Sequence, residues 1–256
     1  MKTLYESILG STKSGKDKIL REKIQDWIDS VSQDKPAVGG NYKNKFTINS
    51  DLTISYSGDL HLDVFKKNGR YEEVTQIPEY INFDKIKGYF QIKLYTINNM
   101  KKSQFPKEIG ETLYIKGDRE VLKDLYIKAR DIVFSNNSFF SKIENVKVEL
   151  GKEGRINFND SFITIEEFKN IEFVNGNLEL IECSNTPMGD ELLKTRNKFF
   201  KKEDMEGFRE YMKEIVPKSK FPNLLKIVIK SKRRLVDSAM KDWWILTDQY
   251  GKWITK

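Results

Sequence analysis

Short segments in which apolar and polar residues alternate recur at a regular distance along the middle of the chain. Glycines precede most of them, at positions 88, 110, 154 and 176. Consecutive glycines are thus separated by about 22 residues or by twice that distance, and a fixed period of this kind is typical of a solenoid. The segments that follow these glycines are 90–94, 113–115, 156–158 and 178–180, and 132–134 fills the long gap. In a solenoid each coil buries its apolar edge against its neighbours.

Each alternating segment has one apolar and one polar side. In the first of them Phe90, Ile92 and Leu94 are predicted to point inward, because every second side chain of a strand lies on the same face. The glycine ahead of each strand is interpreted as a turn residue with a positive φ. A second set of alternating segments comprises 125–127, 146–148 and 171–173. We therefore expect two strands per coil; an ordinary twisted sheet with evenly spaced turns is the alternative.

Several of these stretches resemble a known group of proteins. The stretches are 46–54, 57–62, 86–90 and 105–115, and the last contains Pro106-Lys107-Glu108-Ile109-Gly110. They are similar to degenerate leucine-rich-repeat-like proteins encoded by tailed bacteriophages, over roughly residues 46–186. Glu111 stands where that group has a second glycine. The resemblance implies a repeat scaffold without catalytic residues, located in the cytoplasm of a bacterial host or in a phage virion.

These patterns place the chain in the α+β class and divide it into four parts. Residues 1–33 are a predicted N-terminal helical arm, and residues 34–45 are a linker. Residues 46–187 are predicted to form the LRR-like solenoid, a β-solenoid of ~22-residue coils. Residues 188–256 are predicted to form a basic helical C-terminal region.

The N-terminal arm contains a short predicted helix after Thr3, which stands at capping-box spacing from Glu6, and a longer second helix. The apolar stripe of the second helix consists of Leu20, Ile24, Trp27, Ile28 and Val31. We expect this helix to cover the first coil, since solenoids need their open ends capped. The stretches 5–9 and 11–13 resemble leaders of gut-phage proteins, which implies that the arm docks on a partner.

Residues 10–16 between the two helices approximate the P-loop pattern G-x-x-x-x-G-K. Asp17 stands where a Ser or Thr would hold magnesium, and no buried strand precedes the loop. We interpret the stretch as a solvated turn between helices rather than a nucleotide site, and the sequence predicts no cofactor.

Composition limits the chemistry further. The chain has one cysteine, Cys183, and one histidine, His61, which leaves no internal disulfide and no His-rich metal site. Cys183 is expected to be an inert, partly buried thiol, and His61 to lie in an exposed polar row with Asp59 and Asp63. No apolar run approaches the ~20 residues that span a bilayer, and no secretion signal is recognised. We expect neither a metal site nor a membrane partner.

The positive charge is concentrated after residue 190. From Glu191 to the end, 17 Lys and Arg residues face 9 Asp and Glu residues, whereas the preceding residues have 28 against 29. A helix stripe of Phe208, Tyr211, Met212 and Ile215 is predicted to end at Pro217. A second predicted helix begins at Asn223 and continues through Trp243, and residues 253–254 are a predicted last strand.

The candidate contact site lies on the polar side of that second helix. Its members are Lys226, Lys230, Arg233 and Arg234, at helical spacing i, i+4, i+7 and i+8. Such a row can follow a phosphate backbone. A solvated face, or contact with an acidic protein, fits the same spacing, and acidic residues of the preceding helix would neutralise part of it. Trp243 and Trp244 could stack on bases, although sealing the end of a domain is the preferred interpretation.

Taken together, the sequence predicts a non-enzymatic protein-interaction scaffold with a protein partner. A nucleic-acid-binding accessory protein that uses the basic C-terminal helix is the alternative. An enzyme with a site assembled across coils is the less favoured class, because no catalytic triad, intact P-loop or metal cluster is recognised. The pattern predicts no catalytic, cofactor or metal residues and no particular oligomeric state.

Overall fold

Strands outnumber helices in the computed structural model of the chain, and most of the strand pairs are parallel. The structure describes residues 13–32, 45–62, 64–67, 70–117, 120–134, 140–230, 243–247 and 254–255. The mixed α+β class is thus confirmed for these residues. The chain divides into two compact units, residues 1–110 and residues 111–256.

The first unit combines one long helix with short strands. Its elements are α1 Lys13–Ser32, β1 Phe46–Ile48, β2 Ile54–Tyr56, β3 Leu60–His61, β4 Val64–Lys67, β5 Arg70–Glu73, β6 Phe83–Ile86, β7 Phe90–Lys93 and α2 Leu94–Asn98. Strand β8, Glu108–Lys116, starts in this unit. The pairs β1–β2 and β4–β5 are antiparallel, whereas β2–β6, β3–β7 and β6–β8 are parallel. The predicted strand at 90–94 is confirmed except at Leu94, which is buried but begins α2.

The predicted second helix of the arm is confirmed by α1. Ile24, Trp27 and Ile28 are buried, and the Trp27 ring packs edge-on against Phe46 and Phe83 at centroid distances of 6.4 and 6.0 Å. The turn predicted for residues 10–16 is wrong at residues 13–16, which lie in the first turn of α1. The rest of that turn, the first predicted helix and the linker up to residue 44 lie outside the described residues.

The glycines of the repeat have a different role from the predicted one. None of the four has a φ in the left-handed region; each is instead in close contact with neighbouring atoms. A Cβ on Gly88 would lie 2.7 Å from the carbonyl oxygen of Gly58, and one on Gly110 would lie 2.3 Å from that of Lys87. At Gly88 and Gly110 the backbones of successive segments thus approach too closely for a side chain, whereas at Gly154 and Gly176 the nearest atoms belong to the Leu150 and Pro222 side chains.

The second unit contains the longer strands and two packed helices. Its elements after β8 are β9 Glu120–Lys123, β10 Tyr126–Phe134, β11 Phe140–Glu144, β12 Val146–Leu150, β13 Gly154–Asn157, α3 Ile165–Lys169, β14 Ile171–Phe173, β15 Leu178–Glu182, α4 Pro187–Phe200, α5 Met205–Ile215, β16 Lys226–Lys230, β17 Trp243–Thr247 and β18 Ile254–Thr255. The predicted strands at 132–134, 146–148 and 171–173 are confirmed.

Parallel pairing aligns residues of successive segments in three ladders of the second unit. β9 pairs with β11, β10 pairs with β12 and β12 with β14, and a third ladder follows the order β10, β13, β15, β16. In the third ladder Ile132 lies opposite Ile156, and Ile156 lies opposite Ile181. These isoleucines are fully buried. The apolar side of each segment therefore packs against the apolar side of the next segment.

The left-handed turn positions of this unit include Asp and Asn residues in pairs. Asp124 and Asn145 have φ of 53° and 49°, and the Asn145 amide donates to the Asp124 carboxylate at 2.7 Å. Asp160 and Asn185, with φ of 60° and 55°, form an equivalent 2.8 Å hydrogen bond. Asp and Asn tolerate this conformation because their short side chains bond locally. Stacked turns thus hold the ladders in register at their corners.

The helix predicted from Asn223 through Trp243 is wrong at residues 223–230 and at Trp243. Residues 226–230 are strand β16, parallel to β15, and residues 243–247 are strand β17, antiparallel to β16. Ile227 and Ile229 are buried by this pairing, which suits β-branched side chains better than a helix does. The predicted last strand is confirmed at Ile254, which pairs with Ile245 in β17. Residues 231–242 lie outside the described ones.

The helix predicted to end at Pro217 is confirmed by α5, in which Phe208 and Ile215 are buried. The preceding helix, α4, is anchored tightly at its N-terminus. Thr186 caps it by accepting a 2.9 Å hydrogen bond from the amide of Gly189 and donating a 2.7 Å bond to the carbonyl of Cys183. Gly189 is buried against that same carbonyl.

We predict that Gly189→Ala destabilises the protein, although alanine is the better helix former. The added Cβ would lie 2.1 Å from the carbonyl oxygen of Cys183, so α4 must shift off the end of β15. Overpacking of this kind costs about 1–3 kcal/mol in the free energy of unfolding. Urea unfolding measures the change.

The matched control is Gly58→Ala, because the nearest atoms to its added Cβ are 3.3 Å away in the flexible Lys45 side chain. We expect a change within about 0.5 kcal/mol for this variant. A stabilised Gly189→Ala variant would contradict the close approach.

Candidate functional site

Four lysines form a continuous row on the outer side of α4. Lys194, Lys198, Lys201 and Lys202 follow the spacing i, i+4, i+7 and i+8, and all four are exposed. We call them the lysine row. The helix ends at Phe200, and Lys201 is its C-cap with helical backbone angles, so the row continues past the last turn. At the helical rise of roughly 1.5 Å per residue, residues 194–202 span about 12 Å, including the turn that follows α4.

The opposite side of α4 is buried, which fixes the direction in which the lysine row points. Met188 and Leu192 are fully buried, and Arg196 is 7% exposed. The Arg196 guanidinium lies over the Phe200 ring, 5.4 Å from its centroid, and burial lowers the pKa of Arg196. The side of the helix that carries the lysines lies about half a helical turn away from the side that carries Leu192. Packing of Leu192 into the core therefore directs the lysines toward solvent.

The positive charges of the lysine row are not compensated by neighbours. None of its ammonium groups has an ion-pair partner among the residues that the structure describes. The adjacent helix α5 is acidic, but Glu206 pairs with Arg209 at 2.9 Å and Glu210 pairs with Lys213 at 2.5 Å. Like charges at i, i+4 destabilise a helix by about 0.2–0.5 kcal/mol per pair. A bound anion would relieve this repulsion.

The lysine row also borders a depression that is open to solvent. The depression has a volume of ≈ 570 Å³, and Lys194, Asn197, Lys198, Lys201 and Lys202 are its lining residues in the described part of the chain. Its volume is within the range of ligand sites, which is about 300–1,000 Å³, but such sites are mostly apolar and bury the ligand. An open, cationic depression suits an extended anion better than an enclosed small molecule.

The predicted contact residues do not form the helical row that their spacing suggested. Lys226 is exposed in strand β16, and Lys230 ends the same strand. In a strand, positions four apart are about 13 Å from each other, compared with about 6 Å along a helix axis. Arg233 and Arg234 lie outside the described residues. The spacing i, i+4, i+7, i+8 is found instead in the lysine row, which the sequence analysis missed.

A second surface is formed by outward-facing residues of the β10–β12–β14 ladder. Tyr126 lies opposite Lys147, and Lys147 lies opposite Glu172; in the next row Lys128 lies opposite Glu149. We call these five residues the polar ladder. Lys147 pairs with Glu172 at 2.9 Å and Lys128 with Glu149 at 3.3 Å. Because cross-strand pairs connect neighbouring segments, they hold these side chains in defined positions.

Tyr126 and Glu149 are coupled within the polar ladder. The Tyr126 hydroxyl donates a hydrogen bond to the Glu149 carboxylate. This bond lowers the pKa of Glu149 and raises the pKa of Tyr126, which favours an ionised carboxylate beside a neutral phenol. The ladder thus combines two lysines with two glutamates and a tyrosine that is 45% exposed. It presents mixed charge, in contrast to the lysine row.

The other candidate residues of the sequence have structural surroundings. His61 is half-buried and hydrogen-bonds the Tyr89 hydroxyl through Nε2, so the exposed row predicted for it is wrong at this residue. Asp59 accepts a 3.0 Å hydrogen bond from the Tyr89 amide. Asp63 lies outside the described residues. In the described part of the chain, no group of three His, Cys, Asp or Glu residues could hold a metal ion.

Cys183 is fully buried at the end of β15, and burial raises the pKa of its thiol to about 12. No described helix has the length and apolar character needed to cross a membrane.

Comparisons of the chain with protein-family models, curated proteins and solved structures give no match. The geometry of the two surfaces is therefore the basis for assigning a function.

We predict that Cys183 does not react with a thiol reagent such as DTNB in the native protein at about pH 8. With a pKa of about 12, only about one thiol in ten thousand is ionised at this pH, whereas about a quarter is ionised in an unfolded chain. Absorbance should show less than about 0.1 equivalent of native thiol and one equivalent in urea. Lys152→Cys is the control, because its exposed thiol should react in the native protein. Rapid native labelling of the unmodified chain would contradict the burial of Cys183.

Proposed function

We propose that the chain is a non-enzymatic interaction protein whose residues 46–187 form an LRR-like solenoid that binds a protein partner. The observation that carries this proposal is the parallel pairing of segments that are about one predicted coil apart in the second unit. For example, Ile127 lies opposite Val148, and Val148 lies opposite Phe173. Repetition of this kind lines up outward-facing side chains of successive segments. It supports a display surface rather than a catalytic cleft.

The polar ladder is the part of this surface that best suits a protein partner. Neighbouring strands are about 4.8 Å apart, so its side chains form a rigid array with little conformational freedom left to lose on binding. Tyr126 offers an exposed aromatic ring, and Val174 beside the ladder is 49% exposed. Tyrosine is enriched at the centres of protein interfaces, where it contributes apolar area together with a hydroxyl group.

The biological setting is proposed from the sequence resemblance. A phage-encoded protein of this kind would act in the cytoplasm of the infected bacterium or be carried in the virion. Mass spectrometry of purified particles distinguishes these two roles. Genes for such chains found only at cellular, non-viral loci would contradict both.

We predict that the polar ladder determines partner affinity. A tagged chain is used to capture partners from infected cells, and each candidate is then purified and titrated against the chain by calorimetry. Tyr126→Ala should raise Kd by roughly tenfold or more, the effect of losing more than about 1 kcal/mol at an interface anchor. The matched control is Tyr95→Ala, which removes an equally exposed tyrosine, 51% against 45%, from helix α2 of the first unit. Equal effects of the two variants would contradict the proposal.

A charge swap tests the ladder without removing its internal ion pair. In Lys147→Glu with Glu172→Lys, the two side chains can still pair across the strands, so stability should change by less than about 0.5 kcal/mol. The charges presented to a partner are exchanged, and binding should weaken by roughly tenfold or more. Unchanged affinity would show that the partner contacts another surface.

A further inference from the structure

We propose that the lysine row of α4 binds the phosphate backbone of a nucleic acid without regard to base sequence. This site shares no residue with the polar ladder and does not depend on the protein-binding function. Nor does it use Lys226, Lys230, Arg233 or Arg234. The protein-binding proposal and the nucleic-acid-binding proposal can therefore be tested in separate experiments.

The geometry of the lysine row matches a phosphate backbone. Lys194, Lys198, Lys201 and Lys202 lie opposite the buried side of α4 and, with the turn after Phe200 included, cover about 12 Å at the helical rise. One strand of a duplex advances about 3.4 Å along the duplex axis per phosphate, so a row of this length that lies parallel to that axis spans three to four phosphates. A lysine can follow such a line with its flexible four-carbon side chain. Asn197, which is exposed between them, adds an amide donor.

The charge distribution favours an external anion. Asp190, Glu191 and Glu203 are the carboxylates nearest in the chain; all three are exposed, and none forms an ion pair with the row among the described residues. Asp204 caps α5 by accepting a 2.8 Å hydrogen bond from Gly207, and Glu206 pairs within α5. Elsewhere in the second unit, the exposed Lys147 and the half-buried Lys128 have carboxylate partners. The lysine row therefore combines high positive charge density with no ion-pair partner in the described residues, which is the footprint of a polyanion site.

The composition of the site favours nucleic acid over an acidic protein or a membrane. Arginine forms the bidentate pair that is most specific for carboxylates, but Arg196 on this helix is buried, with its guanidinium over the Phe200 ring, rather than presented with the lysines. A helix that lies on a membrane inserts an apolar side, yet Met188 and Leu192 of α4 are already buried within the protein. The site therefore offers lysines but neither an exposed arginine nor an unburied apolar helix face, and this combination suits a continuous line of phosphates.

Salt dependence of binding is the primary test. The full-length chain is titrated into fluorescein-labelled duplexes of two unrelated sequences, and fluorescence anisotropy gives the affinity between roughly 50 and 200 mM salt. Four neutralised phosphates give a slope of about −3.6 in log affinity against log salt, so affinity should fall roughly 150-fold over this range. Both sequences should bind equally. No binding at the lowest salt concentration, or a strong preference for one sequence, would overturn the proposal.

Charge-matched variants locate the site. Lys194→Gln, Lys198→Gln and Lys201→Gln are combined in one variant, and Lys123→Gln, Lys152→Gln and Lys169→Gln in its control, which removes three exposed lysines elsewhere in the second unit. The first variant should reduce the steepness of the salt slope by about 2.7, and the control should leave the slope unchanged. A third variant, with Gln at positions 226, 230, 233 and 234, should also retain the slope. The assignment to α4 would be overturned if the first variant and its control reduced the salt slope equally. It would also be overturned if only the third variant reduced the slope.

A footprint on the unmodified protein keeps the proposal testable even if a variant misfolds. Lysine acetylation is followed by mass spectrometry with and without the duplex. Lys194, Lys198, Lys201 and Lys202 should be protected several-fold, whereas Lys123, Lys152 and Lys169 should not. Competition by poly-glutamate of equal charge, or binding to anionic phosphatidylserine vesicles as tight as binding to the duplex, would reassign the site to an acidic protein or a membrane. Absence of protection at the lysine row would overturn the proposal directly.

Discussion

In-register parallel pairing of successive segments is the constraint on which the second unit depends. Ile132, Ile156 and Ile181 lie opposite one another, and each is fully buried, so every segment completes the apolar layer of the one before it. A register slip of one residue would move a whole strand's apolar side chains to the opposite face. The paired turns at Asp124–Asn145 and Asp160–Asn185 oppose such a slip, because each hydrogen bond forms only when the turns of two successive segments lie next to each other.

The same constraint explains where variation in length is tolerated. In the first unit Leu60 pairs with Phe90, which lies farther along the chain than one predicted coil, and the additional residues include the β4–β5 hairpin. In the second unit Ile181 pairs with Ile227, and the still longer separation accommodates α4 and α5. Insertions of this size occur at corners, where they leave the hydrogen bonds of the ladder intact. The lysine row is a consequence of one such insertion.

The two surfaces of the second unit differ in how their charges are balanced. In the polar ladder, opposite charges face one another across strands, and this preserves a nearly neutral, ordered array. On α4 the lysines are neighbours on one helix, and Glu206 and Glu210 of α5 pair within their own helix. Balanced arrays favour specific contacts with another protein, whereas an uncompensated row favours a polyanion. One chain can therefore present two chemically distinct surfaces.

Elements with a local signal could be identified from the order of the residues alone. Alternation identified the strand of Phe90 and Ile92, and helical periodicity identified α1 and α5, because in each case a single period fits the apolar residues. Residues 226–230 fit both a helix and a strand, and only pairing with β15 and β17 selected the strand. The lysine row was likewise invisible until the packing of Leu192 fixed which side of α4 faces solvent. These points depend on contacts between distant segments, because a residue's partner across the fold cannot be inferred from its neighbours in the chain.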